Sequence, residues 1–162
     1  MMKKLITTYL FAIGIAMIFA ACNRNNGDIG DLFGEWRLEA MTADGEPVQL
    51  YSQKDDASIP ILFTWAFQGN VVRINSIYPN SHITECYGTW KRDFDNNILE
   101  LKFIYKDSKE DTKYLYTPHE MLCLSPDGIT RLDIVRFKNK KLEVKYVAPD
   151  GIEYSYYLTH PH

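Results

Sequence analysis

Residues 125–159 read SPDGITRLDIVRFKNKKLEVKYVAPDGIEYSYYLT. Three runs, 129–137, 141–148 and 152–159, alternate apolar with polar residues, and Lys138-Asn139-Lys140 and Pro149-Asp150-Gly151 separate them. A period of two marks half-buried strands, and short clusters of Asn, Asp, Gly and Pro mark the turns between them. The stretch is therefore predicted to be a three-stranded antiparallel meander entered through Ser125-Pro126-Asp127-Gly128.

The same period runs back to Gly34. In GEWRLEAM, residues 34–41, Trp36, Leu38 and Ala40 are predicted to share one face, with Glu35, Arg37 and Glu39 on the other. In 61–68 the apolar face is Ile61, Phe63, Trp65 and Phe67, and Gly69-Asn70 turns the chain into 71–78. Thr84, Cys86, Gly88 and Trp90 form one side of 83–92; Leu99, Leu101, Phe103 and Tyr105 form the inner side of 97–106. Thr117 to Leu122 reads either as one helical turn opened by Thr117-Pro118 or as an irregular strand. The prediction is all-β, with eight antiparallel strands. Strands joined neighbour to neighbour bury their edges by closing into an up-and-down barrel, with a two-sheet sandwich as the alternative.

A chain of 162 residues, 46% hydrophobic and 14% aromatic, has the length of one ordinary domain and enough apolar surface for a packed core. With 18 Lys and Arg against 21 Asp and Glu, it lacks the basic field that gathers phosphate backbones, so nucleic acid is not an expected partner.

Residues 1–22 differ from everything after them. Lys3 and Lys4 precede an uncharged apolar run, Leu5 to Ala21, which ends in small residues before Cys22. A basic start, an apolar run and a small-residue end make a secretory signal. The run is also short for crossing ~30 Å of hydrocarbon. Phe19-Ala20-Ala21-Cys22 resembles a bacterial lipoprotein processing site, which implies cleavage before Cys22 and joining of diacylglycerol to its thiol. Several acyl chains, at ~0.8 kcal/mol per buried methylene, give a lasting membrane anchor. The organisation expected is a signal peptide at 1–21, a polar flexible tether at 22–31 and a barrel domain at 32–162. Asn23 stands where resemblance to other lipoproteins puts an inner-membrane retention Asp, and no acidic export run follows Cys22. The resemblance thus implies a cell-envelope protein on the outer membrane, facing the periplasm.

Gly34-Glu35-Trp36 on the first strand, followed by seven more strands, resembles the lipocalins and, more closely, the lipocalin-like lipoproteins of Bacteroidetes. The resemblance implies that Gly34 and Trp36 close one end of the barrel and that the other end opens on a cavity. It implies binding of a small apolar or amphipathic ligand without a cofactor. The inward aromatics Phe63, Trp65, Phe67, Trp90, Phe103, Tyr105, Tyr154 and Tyr156 either line such a cavity or fill it. If they fill it, the expected role is a structural or interaction module that docks an envelope protein, with Ile104, Val147, Tyr157 and the 42–60 loop as its surface.

Cys86 and Cys123 either form a disulfide, as an oxidising compartment allows, or remain free thiols. His82, His119, His160 and His162 lie on predicted loops and the terminus without the spacing of a zinc site, so no metal is expected. No nucleophile elbow, phosphate loop or dinucleotide fingerprint is present, and no enzymatic activity is expected.

Overall fold

The computed structural model of the protein describes residues 32–54, 57–104 and 110–161. The signal peptide, Cys22, the 22–31 tether, Tyr105 and His162 lie outside the described residues. A compact unit spans Gly34–His162.

Among the described residues, eleven strands run in chain order: β1 (Gly34–Ala43), β2 (Glu46–Pro47), β3 (Tyr51–Lys54), β4 (Ala57–Pro60), β5 (Leu62–Gln68), β6 (Val71–Ile77), β7 (Ile83–Asp93), β8 (Ile98–Lys102), β9 (Ile129–Lys138), β10 (Lys141–Val147) and β11 (Glu153–Thr159). Each barrel strand from β5 to β11 pairs antiparallel with its sequence neighbour, β5 also pairs with β1, and β11 pairs back onto β1. That last pairing closes the sheet. It decides for the barrel over the sandwich, because a closed sheet of eight has no free edge along its main strands.

The turns follow the residue types. Asn139 and Lys140 both take positive φ, 53° and 58°, as a two-residue hairpin turn between twisted strands requires. Gly69 turns β5 into β6 and Gly151 turns β10 into β11.

Two expectations need correction. The face predicted as Trp36, Leu38 and Ala40 changes phase. Arg37 and Leu38 pair with Thr159 and Leu158, yet Ala40 pairs with Tyr157, so Glu39 is an extra residue in a β-bulge. Beyond it Met41 is buried and Ala40 exposed. The 42–60 stretch, read as a loop, holds β2 and a separate β3–β4 hairpin.

The interior is packed at the end where β1 begins and β11 ends. Trp36, fully buried, meets the His160 ring edge-on at 5.2 Å and Phe137 at 5.8 Å. The Arg92 guanidinium lies 5.1 Å over Phe137 and 4.6 Å over Phe94, close enough for cation–π attraction. Gly34, with φ +113°, lies so near His160 that an added Cβ would sit 2.5 Å from Nε2. Gly34 and Trp36 therefore belong to one cluster with His160, which tethers this end by its backbone N–H to the Lys140 carbonyl at 2.9 Å.

Candidate binding site at the barrel mouth

The other end of the barrel is crossed by the connection between β8 and β9. It contains two 3-10 turns, Glu110–Tyr116 and Glu120–Leu122. The second is the turn read from Thr117 to Leu122, but its cap is His119: Nδ1 accepts the Met121 N–H at 3.3 Å. Thr117 instead donates its hydroxyl to the Lys113 carbonyl at 3.0 Å, so the expected Thr-Pro cap does not form.

This second turn sits in the mouth. Leu122 is fully buried, and the Tyr156 hydroxyl, inside the barrel, donates to its carbonyl at 2.7 Å. The His119 ring packs edge-on against Phe63 at 5.4 Å. Behind the turn, the Ser125 N–H donates to Oγ1 of buried Thr130 at 2.9 Å. Burial raises the Tyr156 phenol well above its ordinary range, so it is a neutral donor in this position. Burial also lowers the His119 pKa, although Glu120 nearby works against this.

Two recesses flank the crossing segment and share Lys113, Thr117 and His119. The first has a volume of about 510 Å³ and reaches down to Ile74, Ser76 and Cys86, with Tyr78, Thr84, Glu85 and Tyr114 around it. The second, about 450 Å³, lies between Phe103, Ile104 and the return segment Leu124–Gly128. Both fall within the ~300–1,000 Å³ range of small-molecule sites. The floor of the first is mostly apolar, and its rim carries hydroxyls, one amine, one imidazole and the Glu85 carboxylate. That arrangement suits a small amphipathic molecule and offers no paired nucleophile and base.

The inward aromatics, read as either lining a cavity or filling the core, are mostly packed in the interior. Phe63, Trp65, Phe67, Phe103 and Tyr156 are buried, and four of them pack on rings: Phe63 on His119, Trp65 on Tyr156 at 5.6 Å, and Phe67 edge-on against Trp90 at 5.2 Å. Trp90 and Tyr154 are half-buried. Phe103 is the member of this set that lines a recess among the described residues. The wall of the larger recess comes instead from Ile74, Ser76, Thr84 and Cys86 on β6 and β7, together with His119. A signal for the crossing segment lay in Leu122-Cys123-Leu124, too apolar a triplet for a solvated loop.

Cys86 and Cys123 are free thiols in the structure. Burial pushes the Cys86 thiol up to about 12, which leaves it protonated and unreactive as a floor residue. Of the histidines, His82 lies beside Tyr78, His119 on Phe63 and His160 on Trp36. No group of three or more metal-holding side chains occurs among the described residues. Ile104, Val147 and Tyr157 are exposed, but the register separates them: Tyr157 pairs with Glu143 and Val147 with Glu153, while Ile104 follows β8.

Eight antiparallel strands closed by neighbour connections, packed at one end and recessed at the other, have the architecture of lipocalin barrels. The fold is lipocalin-like. Among solved structures, the chain is similar to an uncharacterized protein from Bacteroides eggerthii, with a TM-score of 0.54 at 15% identity over 80% of this chain and 100% of that one. A lipocalin-like protein from Bacteroides uniformis gives 0.49 at 14% identity over 81% and 100%, and lobster apocrustacyanin A1 gives 0.41 at 14% over 86% and 66%. No family model and no curated protein matches the chain.

Proposed function

We propose that this protein is a non-catalytic, lipid-anchored lipoprotein of the cell envelope whose barrel binds one small apolar or amphipathic molecule at its mouth. The observation that carries the reading is the 510 Å³ recess, which reaches down to Ile74, Ser76 and Cys86 under a rim that includes Thr84, Glu85, Lys113, Thr117 and His119. An apolar floor supplies affinity through burial, and a few rim donors orient a polar group. The anchor rests on the Phe19-Ala20-Ala21-Cys22 sequence. Acylation of Cys22, with the tether behind it, would hold the barrel within reach of the outer membrane from the periplasmic side, near the membrane-derived amphiphiles that such a recess fits.

Two experiments test this. Saturable binding of N-phenyl-1-naphthylamine is expected for the purified protein, and Thr84→Trp, which builds an indole into the recess from an exposed position, should weaken it at least tenfold. Equal binding by the variant would place the ligand elsewhere, and no binding by either protein would remove the binder reading. Cys22→Ala should move the protein from the membrane to the soluble fraction; retention in the membrane would overturn the lipid anchor.

A further inference from the structure

Leu122 and its backbone carbonyl occupy the barrel mouth as a bound molecule would. The side chain is fully buried, and the carbonyl oxygen accepts from the Tyr156 hydroxyl of the barrel interior at 2.7 Å. The turn that carries them is short and is held by bonds that can be remade. Leu122 N–H reaches the His119 carbonyl at 3.0 Å, and Cys123, at φ 48°, reaches the Glu120 carbonyl at 2.9 Å. The smaller recess is lined by Glu120 of the turn and by Leu124 just after it, and both recesses are lined by the turn's cap His119, so a molecule seated in either touches the turn or its cap.

We propose that the Glu120–Leu122 turn is an internal ligand, displaced when the barrel takes up a molecule with an apolar body and a neutral hydrogen-bond acceptor, such as a ketone or ester carbonyl. This rests on the binding reading above and specifies its ligand. The incoming apolar body takes the place of the Leu122 side chain, and its acceptor takes the place of the Leu122 carbonyl on Tyr156. A carboxylate is excluded from that deep position. Among the described residues, the buried polar ones are Thr64, Asn75, Ser76, Thr130 and Ser155, none of them cationic, and a buried anion without a counter-charge is strongly disfavoured.

The test compares 2-undecanone, undecane and undecanoate at pH 7.5, each displacing N-phenyl-1-naphthylamine from the full-length protein and from Tyr156→Phe. Amide hydrogen exchange at Leu122 and Cys123 is followed in parallel. The ketone is expected to bind about fivefold more tightly than the alkane, the ratio of one neutral hydrogen bond, and the carboxylate at least tenfold more weakly than the ketone. In Tyr156→Phe the preference for the ketone over the alkane should fall to about one. Bound ketone should speed exchange at Leu122 and Cys123. An unchanged ratio in Tyr156→Phe, or a turn that stays protected while the ketone is bound, would overturn the internal-ligand proposal and leave the binding reading standing. No uptake of any probe, either by the protein or by Leu122→Ala with its mouth cleared, would overturn both.

Discussion

A methyl group added at Gly88 would lie 2.7 Å from the Lys102 carbonyl oxygen and 2.7 Å from Phe103 Cδ1. The glycine thus lets β8 and the Phe103 ring close over β7 on the interior side. Overpacking of this kind costs about 1–3 kcal/mol, so Gly88→Ala should destabilise the protein by that amount and lower its urea midpoint accordingly; an unchanged midpoint would mean Phe103 does not pack there. On the outer face, Glu100 stands in register between Lys91 and Arg131, accepting at 3.1 and 3.0 Å. Burial alone would raise its pKa, but the hydrogen bonds from Lys91 and Arg131 prevail and hold it below the usual carboxylate range. Because the folded value is depressed, its stabilisation is present above the ordinary glutamate value of ~4.3 and is lost as pH falls through the lower folded one. With both cations exposed to solvent, the effect stays below about 1 kcal/mol. The gap in urea midpoint between the native protein and Glu100→Gln should be present at pH 6 and shrink toward pH 3. A gap that does not change with pH would contradict this account of the triad.

The bulge at Glu39 makes a prediction for β1 as an element. Deleting Glu39 restores strict alternation, so the residues beyond it keep either their pairing with β11 or their buried Met41, but not both. Exposing a buried methionine or breaking the ladder should cost about 2–4 kcal/mol, and amide exchange should speed up at Met41 and at Tyr156 and Tyr157 opposite; native-like protection there would show that the bulge is dispensable. The bulge also marks where the sequence stopped being legible. Strand 141–148, and strands 34–41 and 129–137 up to their bulges, were readable because one buried face imposes a period of two, and turn residues such as Gly69 and Asn139 marked where strands begin and end. A one-residue insertion in the ladder leaves only a faint trace, here Met41 beside the smaller Ala40. A second bulge, at Val135 opposite Glu143 and Val144, leaves no clearer one. The candidate site was less legible still. Its floor comes from interior positions of β6 and β7, and its rim from a connection whose polar residues have no period. The aromatics that stood out in the sequence mostly pack on one another.

At the scale of the molecule, the two ends of the barrel differ in a way that fits binding at one of them. The end with Trp36, Phe137, Arg92 and His160 is stacked ring on ring, whereas the other is covered by one short turn between two recesses. The filled middle, with Trp65 against Tyr156, limits a ligand to the mouth and rules out a long chain threaded through the barrel. The most direct measurement is an amide NMR titration of the protein with N-phenyl-1-naphthylamine. The expected result is saturable shifts at 74–78, 84–86 and 117–123, with Trp36, Phe137 and His160 unmoved. Shifts at that closed end or along the outer faces of the strands, or no saturable shifts at all, would contradict a barrel that binds at its mouth.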